Sequence, residues 1–196
     1  MPNLFNDDPV ISKIAFFDFE TNGFFPSSVL EVCVKKCMYE DDIFSTVGTF
    51  HRYYYPKEPF NPQAFRVHGL DEQRLTALRQ GEHYSHYFSA DRDFIEFAAD
   101  ITHWVAHNIQ FDTAFLPCKP QKEFCTMKNN TNTVKILRNG SYKFPTLAET
   151  ARFYGIPFDS DSAHGAAYDT EILFAIFLAM HSAKDSAVLR FVKDLR

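Results

Sequence analysis

The chain is expected to form an α/β protein in which helices flank a mixed central β-sheet. Three patterns carry that expectation. Aromatic and β-branched segments dominate up to Tyr55, helical periodicity dominates the second half, and one strand-like segment returns between them after a helical crossover.

In chain order, Lys13-Ile-Ala-Phe-Phe-Asp-Phe-Glu20 reads as a strand that Thr21-Asn22-Gly23 ends. Val29 to Tyr39 and Phe44 to Tyr55, with Glu40-Asp41-Asp42 between them, complete an antiparallel meander with it. Pro56 to Pro62 breaks the pattern, and Asn61 to Asp71 reads as a short helix and a loop, with Gly69 permitting a tight exit. Arg92 to Ile101 carries Phe94, Phe97 and Ala98 at helical spacing. Thr102 to Ala106 then returns to strand, a crossover that implies pairing parallel to the first strand. Asn108 can cap a helix from Ile109 to Leu116, stopped by Pro117. Thr146 to Tyr154 reads as a helix stopped by Gly155 and Pro157. Ala166 to Ser182 is the strongest helix, with Asp169, Ile172, Leu173, Ile176 and Met180 along one face.

Composition bounds what such a chain does. With 196 residues it holds one sizeable core, so residues 1–196 are expected to be a single domain with its core between about Lys13 and Met180. Its 22 Phe, 45% apolar and 23% charged residues exclude disordered and fibrous classes. The longest apolar run, Ile172 to Met180, is about half of the roughly 18 residues that nominate a membrane span, so no membrane partner is expected. Asp7 and Asp8 stand where a secretory signal would have a cationic start and an apolar block, which points to the cytoplasm. Four cysteines without a C-x-x-C pair disfavour a zinc ribbon and suit thiols in a reducing compartment. A net charge of −5 opposes a nucleic-acid partner only if the acids are spread over the surface. Acids that line a site for two divalent cations leave the local field to the metals.

Side chains alternate on a strand, so Asp18 and Glu20 emerge on one face at the end of the first strand. Like charges placed together in an apolar segment are costly unless they reach water or hold a cation. Asp112 and Asp169 each fall in the first turn of a helix, where an acid also serves the helix dipole. Asp169 lies on the face that otherwise packs inward, and His164 stands five residues before it, at the mouth of the same helix. Taken singly these positions fit solvated acids as well as a metal site. What joins them is the set and its order along the chain.

Phe17-Asp-Phe-Glu-Thr-Asn-Gly23, Val105-Ala-His-Asn-Ile-Gln-Phe-Asp112 and His164-Gly-Ala-Ala-Tyr-Asp169 resemble the three exonuclease motifs of the DnaQ-like superfamily, in its DEDDh branch. Arg66-Val-His-Gly-Leu-Asp71 resembles the loop that family members place near the terminal nucleotide, and Phe144-Pro-Thr-Leu-Ala-Glu149 resembles the helix before the third motif. Trp104 to Phe115, followed by Phe124-Cys-Thr-Met-Lys128, is especially similar to exonucleases of the X type, and the proofreading epsilon-type exonucleases share the overall pattern. A tyrosine-type member would carry Tyr where Gly165 stands, so His164 decides the branch. Asp41, Asp42, Asp71 and Asp91 match no motif acid and are read as surface acids.

The resemblance implies a ribonuclease H-like fold and a 3′ to 5′ exonuclease that releases nucleoside monophosphates from single-stranded or fraying DNA ends by a two-metal mechanism. It assigns Asp18, Glu20, Asp112 and Asp169 as ligands of two Mg²⁺ or Mn²⁺ ions and His164 as the general base. Thr21, Asn22 and Gly23 are expected to contact the terminal sugar and phosphate, and His68 and Leu70 to pack on the last base. Phe24 and Phe25 either stack on bases or pack under their own loop, and Asn108 either orients the phosphate or only caps its helix. Lys128, Lys135, Arg138 and Lys143 either track the nucleic-acid backbone or are simply solvated. Two other readings stand beside this one: an exoribonuclease or oligoribonuclease, and a non-catalytic module of a nucleic-acid machine. Expected partners are nucleic-acid 3′ ends, DNA ahead of RNA, with a polymerase or other nucleic-acid enzyme and a second copy of the chain as further candidates.

Overall fold

Residues 12–160 and 163–195 are described by a computed structural model; Asp7 and Asp8 lie outside the described residues. Lys13–Thr21 (β1), Val29–Glu40 (β2) and Ile43–Tyr53 (β3) form the antiparallel meander that their β-branched and aromatic content predicts. Ile101–Ala106 (β4) pairs parallel to β1, as the crossover requires, and Lys122–Cys125 (β5) pairs parallel to β4. The resulting mixed sheet has the order β3-β2-β1-β4-β5.

The helices are Pro62–His68 (α1), Glu72–Leu78 (α2), Arg92–Ala98 (α3), Ile109–Asp112 (α4), Thr126–Val134 (α5), Leu147–Phe153 (α6), Ala166–Ser182 (α7) and Ser186–Val192 (α8). Leu137–Arg138 (β6) and Ser141–Tyr142 (β7) make a small hairpin. Three expectations need correction. The helix after Asn108 is a single turn, because from Asp112 onward the chain tightens into Phe115 N–H to Asp112 C=O and Leu116 N–H to Thr113 C=O bonds before Pro117. The third strand stops at Tyr53, since the Tyr54 and Tyr55 amides turn away to Leu30 and His86. Asp91 is no surface acid: only 5% exposed, it accepts bonds from Arg52 and Tyr54 and caps α3 through the Asp93 N–H. α5 is unexpected in a segment rich in Asn and Thr, which are poor helix formers.

Strand alternation separates two cores. Ala15, Phe17 and Phe19 of β1 face Phe88, Phe94 and Trp104 on one side of the sheet. Ile14 and Phe16 face Ile172, Leu173, Ile176 and Phe177 of α7 on the other. Full burial of one such side chain contributes about 1.5–3 kcal/mol, so this alternation sets the register strongly. Continued toward the end of β1, the Ile14 and Phe16 side carries Asp18 and Glu20 beneath the start of α7. Among the described residues no single helix is long and apolar enough to cross a membrane.

Candidate active site

The acids converge where β1 and β4 end. Asp18, Glu20 and Asp169 each offer an oxygen within 4.8 Å of the others. Asp169 reaches them because α7 starts directly over β2, where Thr170 Oγ1 donates to the Cys33 carbonyl at 3.3 Å and Lys35 binds Glu171 at 2.6 Å. Asp112 enters from α4, just past the end of β4. It is 3% exposed, and its carboxyl accepts the Phe19 backbone N–H. It lies outside the group of three, yet its charge is the strongest of those acting on Asp18.

Burial and mutual repulsion dominate the electrostatics. Burial first, then the charges of Asp112, Glu20 and Asp169, push Asp18 well above the ordinary carboxylate range. Burial and then Glu31 push Glu20 to about 9. Burial raises Asp112 to about 7 against the Phe19 bond, and raises Asp169 to about 6 against the opposing charge and backbone N–H of His164. Asp169 Oδ1 is buried without a hydrogen-bond partner. An orphaned carboxylate oxygen beside two more, all repelling, is a donor set that fits a hard divalent cation.

His164 is exposed and left-handed at φ 64°, next to the α7 cap Gly165. It lies close enough for its charge to act on both Asp169 and His68. His68 is 9% exposed; it donates from Nε2 to the Thr21 carbonyl at 3.2 Å and accepts the Leu70 N–H on Nδ1 at 3.0 Å. Burial holds its pKa below the usual imidazole range.

Beside the acids opens a cavity of about 340 Å³, whose lining includes Glu20, Thr21, Gly23, Phe24, His68 and Phe111. Phe24 and Phe25 are 86% and 63% exposed, so packing under their own loop is ruled out. Asn22 is buried, its amide engaged by Glu58, Pro59 and Asn61. Leu70 packs with Leu30 and Leu75 and does not line the cavity. Asn108 occupies the cap position of α4 without a capping side-chain bond and is exposed. Lys143 is paired with Glu149 at 2.7 Å.

Glu31, absent from the sequence-based site, is the fifth acid. It lies opposite Glu20, is 3% exposed, and accepts a 2.8 Å bond from His51 Nε2. Its signal was a lone acid inside the apolar run Val-Leu-Glu-Val-Cys-Val. Phe111, within the second motif, lines the cavity from α4.

Comparison with known proteins accords with this geometry. The RNase T family model, described as an exonuclease, matches residues 15–177. Ribonuclease T of Shewanella sp. (strain W3-18-1) is 30% identical over 175 residues, covering 82% of this chain and 77% of that protein. DNA polymerase III subunit epsilon of Pasteurella multocida (strain Pm70) is 28% identical over 151 residues, covering 72% of this chain; the chain spans only 55% of that subunit's length. Exonuclease X in complex with 5′ overhanging duplex DNA superposes with a TM-score of 0.61 at 21% identity, over 93% of this chain and 98% of that one. Exonuclease I of E. coli in complex with a dA16 oligonucleotide gives 0.67 at 16% identity, over 92% and 43%. These neighbours share the ribonuclease H-like sheet. Since the matched stretch runs from β1 into α7 and takes in Asp18, Glu20, Asp112 and Asp169, the chain belongs to the DnaQ-like RNase T exonuclease family.

Proposed function

We propose that the chain is a divalent-metal-dependent exonuclease that removes nucleoside monophosphates one at a time from the 3′ end of single-stranded or fraying DNA. The observation that carries this reading is the convergence of Asp18, Glu20 and Asp169 oxygens within 4.8 Å, beside a cavity of about 340 Å³ walled by aromatic rings. Asp18, Glu20, Asp112 and Asp169 would hold two ions, Mg²⁺ or Mn²⁺. When bound, such ions supply Lewis acidity that activates water and stabilises charge on the departing oxygen.

The protein's own groups do the rest. His164 accepts the proton of the attacking water on an imidazole nitrogen, a task suited to an exposed side chain at the start of α7, close to Asp169. Water adds to phosphorus and the bond to the 3′ oxygen of the preceding nucleotide breaks. A nucleoside 5′-monophosphate leaves, the departing 3′ oxygen takes a proton from solvent so that the shortened strand ends in a 3′ hydroxyl, and His164 returns its proton to solvent. Thr21, Gly23 and His68 border the space for the terminal sugar and base. Phe24 and Phe111, whose ring centroids lie 6.1 Å apart, offer the base an apolar face. The reading places the exonuclease domain in a reducing cytoplasm, where the thiols of Cys33, Cys37, Cys118 and Cys125 stay reduced.

RNA is the second reading, favoured by the ribonuclease T relatives at up to 30% identity over 82% of the chain. DNA is preferred because the exonuclease X and exonuclease I neighbours that share the fold carry DNA. A panel of 5′-labelled DNA and RNA, single- and double-stranded, in Mn²⁺ or EDTA, tests both. Stepwise shortening of DNA from the 3′ end, abolished by EDTA, is the expected result. Undiminished cleavage in EDTA refutes the metal reading, and faster shortening of RNA replaces the substrate.

A further inference from the structure

The turn joining β1 to β2 carries the exposed Phe24 and Phe25, and it is held by one carboxylate outside it. Glu58 Oε1 accepts from Asn22 Nδ2 at 3.1 Å, Ser27 Oγ at 2.7 Å and the Ser28 N–H at 2.7 Å, while Oε2 accepts from Ser28 Oγ at 2.7 Å. The segment around Glu58 grips the turn from its other side as well. Asn22 Nδ2 donates to the Pro59 carbonyl at 3.0 Å, Asn22 Oδ1 accepts the Asn61 N–H at 2.8 Å, and Ser28 Oγ accepts the Lys57 N–H at 3.0 Å. Among the described residues no Lys or Arg forms an ion pair with Glu58. Its carboxylate is therefore satisfied by the turn itself.

The turn is a partition. Phe24 lines the cavity beside the acids, and Phe25 lines a second cleft of about 220 Å³ with Tyr55, Lys57, Tyr87 and Phe115. Neither ring is fixed by its own packing: each makes an edge contact, Phe24 with Phe111 and Phe25 with Phe115 at 5.7 Å, and stays mostly exposed. What fixes the partition lies at its base, where Asn22, Ser27 and Ser28 turn inward.

We infer that Glu58 is a positioning residue for the exonuclease site, ordering the turn so that Phe24 and Phe25 are set in place before a 3′-terminal nucleotide arrives. The inference rests on the proposed exonuclease reading for what enters the cavity. Burial pushes the Glu58 carboxyl up, but the bonds from Ser27, Ser28 and Asn22 outweigh it and hold it at about 2, so it is an ionised acceptor at neutral pH. Hydrogen bonds to a charged acceptor are about twice as strong as neutral ones, and a preordered wall spares the ligand the cost of ordering it.

The test combines binding and turnover. Glu58→Ala should weaken binding of a fluorescent single-stranded oligonucleotide with a free 3′ end, measured in Ca²⁺, by about tenfold, the cost of ordering two aromatic side chains on binding. KM should rise by a similar factor while kcat and the half-saturating Mn²⁺ concentration stay within about threefold. Glu58→Gln, which keeps one acceptor oxygen but loses the charge, should weaken binding by an intermediate factor. In a Phe24→Ala/Phe25→Ala background, Glu58→Ala should cost little more, because residues acting through one device are not additive. If Glu58→Ala fails to fold, Glu58→Gln and Ser28→Ala take its place, with Ser28→Ala expected to weaken binding by a smaller factor. Unchanged binding in a folded Glu58 or Ser28 variant, or a full extra loss in the double-Phe background, overturns the inference. Glu58-dependent binding by a protein that never cleaves the oligonucleotide would sink the exonuclease reading and leave the positioning role standing.

Discussion

Glu31 stands directly across the β1–β2 ladder from Glu20, and both carboxyls are buried. After burial itself, the Glu31 charge is the largest influence holding Glu20 at about 9. The fold thus brings together carboxyls whose repulsion is relieved by protonation or by a bound cation.

Stability of the metal-free protein should fall as pH rises from 7 to 9. Glu20 at about 9 and Asp112 at about 7 lie above their unfolded values, so the stability they contribute is present below those values and is lost as pH rises through the folded pKa. His103 and His107, held near 4 chiefly by burial, titrate below this window. Calorimetry in EDTA should show Tm dropping by several degrees, since each kcal/mol moves the Tm of a chain this size by about 2 to 4 °C. Saturating Mn²⁺ should flatten the profile, and Glu31→Gln should reduce the drop without metal. A Tm that rises from pH 7 to 9 in EDTA would contradict the electrostatic account.

Asp18→Asn should trade activity for stability. Losing a metal ligand removes several kcal/mol of transition-state stabilisation, a fall of about 10³ or more in turnover. Relieving the repulsion from Asp112, Glu20 and Asp169 should leave the EDTA-treated variant at least as heat-stable as the parent at pH 8. Cleavage at the parental rate would remove Asp18 from the ligand set.

His164→Ala should depress kcat by about 10²–10⁴, the usual cost of a general base, with little change in KM or in half-saturating Mn²⁺. Full turnover at saturating metal would remove His164 from the chemistry.

A 3′-phosphate should block digestion, and circular single-stranded DNA should resist it. The cavity of about 340 Å³ beside the acids is bordered by Phe24, Phe111 and His68, a space that suits a terminal nucleotide with a free 3′ hydroxyl. Gel analysis of the circle decides: nicking would mean an endonuclease.

Much of this site was legible in the sequence because its signals are local. The two-residue period of a strand puts Asp18 and Glu20 on one face whatever they pack against, and helical spacing puts Asp169 on the inward face of α7. The same periods located the meander, the parallel β4 and the long helix. Short polar elements such as α5, and strands of two residues such as β6 and β7, carry no comparable period and were not expected.

The sequence by itself determined which acids emerge together, their order along the chain and the mixed α/β sheet that carries them. Only the tertiary structure decided that Glu31 would face Glu20, that Asp112 would take the Phe19 N–H, that Asp91 would be buried against Arg52, and that Glu58 would clasp the turn bearing Phe24 and Phe25. Each is a meeting of residues from different segments, set by strand register and loop docking. Side-chain periodicity within one segment says which way a residue points, whereas its neighbour across the sheet depends on where another strand comes to rest.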